Sequence, residues 1–371
     1  MTNSILESAG YRQATDNKKK VLEAVKLFRE GMERRSTTAQ FQLREAFTTD
    51  DFPTLLGAGF ELQARTHFDD LTDETQAIVT RVGVPDFEPR KYRDFGLSDI
   101  LEDVEEGEEY KSSNPFRDTE IEFQTAKAGR VYGFTWEARL ADRYQQLAQF
   151  PQLLAQSAIA KLNRNVYSVL VEGGDLSEDF FSDAIGSEAL TWDNVIAARK
   201  DLRKQRNHLD LVADYSTMVL VVPPTLEDEA NGLVQAGSIT ETVQNDGSTI
   251  ERVRTNPLSN IQVVVSSEFA NLLGEDVRDT AWALLPGGNT NNPALLSSYL
   301  LSHPDLEVRV KRDAGQLAGG GDVPYTEGSF NDDTIWYRGR HTNGVTALFN
   351  APSPGSDDRL VYASTGAGSG S

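Results

Sequence analysis

The stretch from Thr135 to Glu172 constrains the fold of this chain more than any other. Apolar residues recur at Trp136, Leu140, Tyr144, Leu147, Leu154, Ala158, Leu162, Val166 and Val169. The steps are three and four residues apart from one gap at Pro151, which is the spacing of a single helical face. Proline lacks the amide donor and clashes with the preceding turn, so the pattern predicts a first helix of about four turns, a bend, and a second helix with Pro151 in its first turn. End to end the two pieces would span on the order of 50 Å at 1.5 Å per residue. Such an element is a strut, entered through a charged, alternating arm and left through Gly173-Gly174.

The strut needs a core to lie on, and a chain of 371 residues with 39% hydrophobic content can bury one large core or two modest ones. No apolar run approaches the length of a membrane span, and the first ten residues lack the basic start and apolar centre of a signal peptide, so a cytoplasmic protein with no membrane partner is expected. The absence of cysteine excludes disulfides, thiolate nucleophiles and zinc-thiolate sites. A net charge of −21 argues against a nucleic-acid-binding surface, although a wall of that charge can face nucleic acid without adhering to it.

Residues 18–35 carry seven basic and three acidic side chains around Val21, Leu22, Val25, Phe28 and Met32. They predict a basic amphipathic helix, either solvated and packed on a neighbour or an arm touching acidic surfaces of sister subunits. A helical pattern runs from Thr48 to Gly83, and Val82 to Leu101, with Pro85 and Pro89, reads as an extended strap. Asp99 to Glu122 holds ten acidic and two basic residues, densest from Glu102 to Glu109. Alternation follows, with Ile121, Phe123 and Thr125, then Val131, Gly133 and Thr135 opposite Tyr132 and Phe134, which is strand spacing. Two arms around Ala126 to Arg130, or one long hairpin tipped near Ser112 to Pro115, both fit. A lone hairpin of that length buries too little to be stable and needs a partner surface, for which a second copy of the chain suffices.

Beyond the strut, Thr191 caps a helix expected to run through Asn207, with Arg199, Lys200, Arg203, Lys204 and Arg206 on its basic side. Met218 to Val222 is a buried strand stopped by Pro223-Pro224, Leu226 to Val234 a helix, and Asn245-Asp246-Gly247 a turn. Ile261 to Val265 is a second strand, continued by Phe269 and Leu272-Leu273, and Ala281 to Leu285 a third. Ala294 to Leu301 is helix-like. Leu306, Val308 and Val310 alternate with charges, and Thr334 to Arg340 and Gly344 to Phe349 predict two closing strands. The segment Pro352 to Ser371 has the composition of a loose tail.

Chemistry is sparse. His67, His208, His303 and His341 are isolated, and no pair has the helical spacing with a carboxylate that a zinc hydrolase needs. Nucleophile-elbow, phosphate-loop and dinucleotide motifs are absent. Pro286-Gly287-Gly288 and Gly319-Gly320-Gly321 read as flexible loops, and the Glu102 to Glu109 run lacks the ligand alternation of a calcium loop. The expectation is a protein that is not an enzyme, with no catalytic residue, no metal site and no cofactor.

The order of parts resembles the major capsid proteins of tailed bacteriophages, whose shared fold is named after the phage Hong Kong 97. The residues that carry the resemblance are the helical arm, the charged hairpin, the strand running into Gly133-Phe134-Thr135-Trp136-Glu137-Ala138-Arg139-Leu140-Ala141-Asp142, and the helix with Leu153, Ala155, Ala158, Lys161, Leu162 and Asn163. The resemblance implies an α+β fold with an N-terminal arm at 1–47, the start of the peripheral domain at 48–98, and an extended loop at 99–134. It further implies a peripheral domain with the spine helix at 135–210, an axial domain at 211–302, a return to the peripheral sheet at 303–350 and a flexible tail at 351–371. Expected partners are many copies of itself as pentamers and hexamers, a portal, scaffolding or decoration proteins, and enclosed double-stranded DNA bound without sequence preference. The expected location is the virion, after assembly in the host cytoplasm. Some relatives join a loop lysine to a peripheral-domain asparagine. Lys111 and Lys127, and Asn343 and Asn350, lie in the corresponding regions. A bacterial nanocompartment shell enclosing a cargo enzyme is the alternative of the same fold.

Overall fold

The structure is a computed structural model that describes residues 64–69, 74–93, 103–104, 106–110, 112, 120–135, 137, 146–204, 217–245, 248–290, 293–321, 323, 327–348 and 361–366. The basic segment 18–35, residues 205–207 of the helix after Thr191, and nearly all of 136–145 lie outside them. In chain order the elements are β1 (Val79–Val84), β2 (Arg90–Arg93), β3 (Glu120–Phe123), β4 (Ala126–Thr135), α1 (Gln146–Leu170), β5 (Val171–Glu172), β6 (Asp175–Leu176), α2 (Glu178–Phe181), β7 (Ile185–Gly186) and α3 (Trp192–Lys204). They continue with β8 (Met218–Val222), α4 (Glu227–Gln235), β9 (Ser238–Asn245), β10 (Ser248–Thr255), β11 (Ile261–Val265), α5 (Ser267–Leu272), β12 (Trp282–Pro286), β13 (Leu295–Leu300), β14 (Glu307–Val310), β15 (Thr334–Ala347) and β16 (Tyr362–Ser364). Helices are interspersed among strands that pair mostly in antiparallel fashion, which makes the fold α+β.

The chain forms two compact units. One gathers residues up to 72 with 127–159 and 303–342, and the other 73–126, 160–302 and 343 onward. In the first unit, β15 pairs with β14 in antiparallel register and with β4. Strand alternation sends Val308, Val310, Ile335 and Tyr337 to one face, with Tyr132 and Phe134 of β4. Against that face lie Phe150, Leu154, Ala155 and Ala158, the buried stripe of α1. Phe134 meets the Phe150 ring edge-on at 5.0 Å. Gly339 sits where Leu154 reaches the sheet, so that a Cβ there would fall 2.5 Å from Leu154 Cδ1.

In the second unit a five-stranded sheet runs β11-β8-β12-β16-β7. Every residue of β8 and β12 is buried, because alternate side chains feed two cores. Val219, Val221, Ala283 and Leu285 join Val166, Tyr167 and Leu170 of α1, whereas Met218, Leu220, Val222, Trp282 and Leu284 join α3 and α4. A strand covered on both faces reads as an unbroken apolar run. β1 pairs in parallel with β13, which pairs antiparallel with the C-terminal end of β15.

Several expectations hold. Asn194 N donates to Thr191 Oγ1 at 3.3 Å at the start of α3. β8, α4, β11 and β12 form within a residue or two of the predicted spans; Asn245 pairs with Ser248, and Asp246 and Gly247 of the predicted turn lie outside the described residues.

Others are corrected. α1 does not break at Pro151 but is one helix of 25 residues with the proline inside, about 37 Å long at 1.5 Å per residue. The proline removes one intrahelical bond, and burial of Phe150, Leu154 and Ala155 around it outweighs that loss. The helix-like run at Ala294 to Leu301 is strand β13, an ambiguity that periodicity cannot resolve in a short apolar run. Phe269 and Leu272 do not prolong β11; Ser266 Oγ accepts from Phe269 N at 3.2 Å and starts α5. The two closing strands are the single β15, with His341, Thr342, Asn343 and Gly344 buried inside it. Residues 126–130 are no tip but the start of the ten-residue β4. The helical reading of 48–83 holds at 64–69 and at the 3-10 turn Glu74–Ala77, but from Val79 it gives way to β1, and the strap from Val82 gives way to the end of β1 and to β2, the partner of β3. The loose tail is overturned for 361–366, where β16 pairs with both β12 and β7 and buries Val361 and Ala363 completely. Gly287 and Gly288 are likewise not flexible: their amides donate to Thr217 O and Ala77 O, and a Cβ on Gly288 would overlap the Val79 carbonyl.

Candidate assembly surfaces

The base of the charged loop is a two-stranded ribbon, with Arg90 to Arg93 opposite Phe123 to Glu120. Phe123 turns into a small core with Val84 and Leu296, and Gln124 Nε2 donates to Phe87 O at 2.9 Å. The ribbon therefore holds the loop at its root. Between the strands, Asp103, Val104, Glu106, Gly107, Glu108, Glu109 and Tyr110 are all exposed, Tyr110 by 87%. Gly107 takes φ 95°, which only glycine adopts without strain, so the run bends there.

The outer face of the first unit's sheet is of opposite charge. Because Val308, Tyr337 and Gly339 face α1, the alternate positions Glu307, Arg309, Arg338 and Arg340 face away from it. Register places Glu307 opposite Arg340 and Arg309 opposite Arg338. One carboxylate gathers two guanidinium groups and an imidazole: Arg309 Nη2 at 3.2 Å, Arg340 Nη2, and His303 Nε2 at 3.3 Å. Burial pushes the Glu307 carboxyl up, but Arg309 and Arg340 outweigh it and hold the group below its ordinary range. Lys311 pairs with Asp313 at 2.5 Å. The half-buried Trp336 ring lies over Gly133 of β4, where a side chain would collide with it.

A third cluster is internal to the second unit. Glu74 Oε1 accepts from Ser266 Oγ at 2.6 Å and from Asn163 Nδ2 at 3.2 Å. Burial raises its pKa, Ser266 works against that, and Glu268 adds to the rise. Asn163 Oδ1 is buried without a hydrogen-bond partner.

The residues singled out in the sequence separate. His303 joins Glu307, and His341 is buried with its ring 5.2 Å from that of Phe68. Asn343 is buried with an unpartnered Oδ1, and Lys127 is exposed. Lys111, Asn350 and His208 lie outside the described residues, and so do Glu102 and Glu105. Among the described residues no three His, Asp or Glu side chains are placed to hold a metal ion, and no helix is long and apolar enough to cross a membrane. Sequence reading found the acidic loop but missed the Glu307 and Glu74 clusters. Charges alternating with Leu306, Val308 and Val310 hinted at the first, but their cross-strand partners are thirty residues away.

Charged surfaces of opposite sign, one of them an acidic run whose described residues are all exposed, suit a subunit that contacts other protein surfaces. The sequence profile of the phage capsid protein family matches residues 118–353, which is most of the chain, and the chain belongs to that family. It is accordingly a capsid component that works as many copies in a shell, and its place is the virion. No curated protein matches the sequence. Solved structures similar to this one include a Gordonia phage Cozz chain, with 13% identity, a TM-score of 0.43, and coverage of 78% of this chain and 84% of that one. A Mycobacterium phage Bobi chain has 12% identity, a TM-score of 0.43, and coverage of 79% and 89%. A holo encapsulin complex from Synechococcus elongatus has 12% identity, a TM-score of 0.42, and coverage of 77% and 84%. Likenesses of this size carry no part of the assignment, which rests on the family match.

Proposed function

We propose that the chain is the major capsid protein of a tailed bacteriophage, with a Hong Kong 97-type subunit that closes an icosahedral head around double-stranded DNA. The observation that carries the reading is the family match over 118–353, which contains β4, α1, strands β7, β8, β11 and β12 of the five-stranded sheet, and β15. In this reading α1 and the sheet against it form the peripheral domain, and the sheet β11-β8-β12-β16-β7 forms the axial domain at five- and six-fold positions. The loop rooted on β2 and β3 reaches a neighbouring subunit. The acidic surface lets the genome slide rather than adhere. A portal, and scaffolding or decoration proteins, would be partners, and assembly would take place in the host cytoplasm. The protein's work is then architectural and needs neither catalysis nor a cofactor. The family match favours a phage head over a nanocompartment. The test is negative-stain microscopy with sedimentation of the expressed protein. Closed shells, or capsomers of five and six copies, are expected; monomers under every condition would refute the reading.

A further inference from the structure

The five-stranded sheet of the second unit carries unbalanced charge of opposite sign at its two ends. At one end α3 presents Arg199, Lys200 and Arg203, which at about 100° per residue share one arc of the helix, with Asp201 on the opposite flank. Arg199 is buried: its Nη1 donates to Pro257 O, its Nε has no partner, and no carboxylate pairs with it among the described residues. Burial, and then the neighbouring Arg203, hold its pKa below the ordinary guanidinium value. Lys200 and Arg203 are exposed and equally without an ion-pair partner among the described residues. A buried cation without a counter-ion is costly, so this flank of α3 is incomplete in the single chain.

Carboxylates in excess lie at the other end of the sheet. Glu227, Asp228 and Glu229 open α4 just past β8, and Thr225 Oγ1 donates to Asp279 O at 2.9 Å, which ties them to the turn that holds Glu275 and Asp276. All five are exposed, and none has an ion-pair partner among the described residues; Arg278 is taken by Asp279 at 3.7 Å. Pro257, to which Arg199 is bonded, precedes the end of the sheet where Ile261 pairs with Met218, whereas α4 and Thr280 lie beyond Val222 at the opposite end. The five residues of β8 separate the two patches by on the order of 15 Å at 3.3 Å per residue, so one domain cannot join its own patches.

Resting on the shell reading above, we infer that the flank of α3 with Arg199, Lys200 and Arg203 in one copy binds the acidic corner of Glu227 to Glu229, Glu275 and Asp276 in a second copy. A chain of net charge −21 repels its own copies, so they approach closely only where local charges oppose. The corner supplies the counter-ion that Arg199 lacks, and the planar guanidinium fork of Arg203 makes the contact directional as well as attractive. The two patches differ and lie at opposite ends of one domain, so the contact is heterologous, and its repetition closes a ring when the rotation allows. Three cations are too few to hold nucleic-acid phosphates against that net charge, which favours a protein partner.

The test is a charge exchange in the full chain. Four proteins are compared for capsomers and shells by sedimentation and microscopy: wild type, Lys200→Glu with Arg203→Glu, Glu275→Lys with Asp276→Lys, and all four substitutions together. Arg199 is left in place because it also anchors α3 to Pro257. The comparison is made at about 0.1 M salt, where charges interact over about 10 Å. Each one-sided variant should lose capsomers and shells, and the fourfold variant should regain most of them. The unassembled variants should melt at the wild-type subunit's temperature. A one-sided variant that assembles at wild-type yield, or a fourfold variant that regains nothing, overturns the inference while leaving the shell reading intact. A lowered melting temperature of the isolated subunit would place these charges in the fold of one chain. Normal shells that retain less DNA would assign α3 to nucleic-acid phosphates, and either result overturns the proposal. A wild type that never assembles refutes the shell reading itself, and this inference with it.

Discussion

Leu154 and Gly339 fit each other closely enough to be tested as a pair. Leu154 is buried in α1, and its Cδ1 occupies the space 2.5 Å from where a Cβ of residue 339 would lie. Leu154→Ala removes three buried carbons beside Phe150, Val308 and Tyr337, and such substitutions cost ~2–5 kcal/mol depending on how far the site collapses. Gly339→Ala adds one methyl into occupied space and costs ~1–3 kcal/mol by overpacking. Gly339 carries no positive φ, so the backbone itself accepts alanine, and the penalty is the collision alone. In the double variant the new methyl enters the space the leucine leaves. The collision disappears and part of the cavity is filled. The double variant should therefore be more stable than the sum of the two single effects by ~1–3 kcal/mol, the coupling expected of residues in contact. Urea unfolding of the four proteins, followed by circular dichroism, measures the cycle. Strictly additive effects would refute the packing of α1 onto β15 at this point.

Three further outcomes follow from other parts of the structure. Glu74 has a raised folded pKa, so its contribution to stability is fully present below the unfolded pKa and is lost as pH rises through the folded one. Glu74→Gln keeps an acceptor for Ser266 Oγ and adds a donor for the unpartnered Asn163 Oδ1; thermal melts should show it more stable than wild type at pH 8, with the gap closing toward pH 4. Ala363→Asp places a carboxylate in the fully buried middle of β16 and should cost several kcal/mol, read as loss of soluble protein or a large fall in melting temperature; near-wild-type stability would show that β16 is dispensable. Deleting 104–118 spares β2 and β3 and should leave a folded, soluble subunit that no longer forms closed shells; normal shells from it would show that the loop plays no part in assembly.

The sequence alone determined what depends on neighbours along the chain. Strand β8, bounded by Pro223-Pro224, the Thr191 cap, the pairing of Asn245 with Ser248 and the helical stripe through Leu154, Ala158, Leu162 and Val166 are written in local periodicity and turn chemistry. The density of charge at 102–109 is equally local, as is the order of parts behind the resemblance to phage capsid proteins. Tertiary structure decided whatever depends on a distant partner. Ala294 to Leu301 became a strand because β1, more than two hundred residues earlier, offers it a parallel edge. Tyr362 to Ser364, in a segment rich in Pro, Gly and Ser, became β16 because β12 and β7 pair with it on its two edges. Pro151 stayed helical because the sheet beneath α1 buries the side chains around it. The Arg309–Arg338 pair exists only once β14 and β15 are in register. Backbone propensity acts over a turn or two, whereas burial and cross-strand charge act between residues the fold alone brings together, so the strut was legible from the start and the face beside it was not.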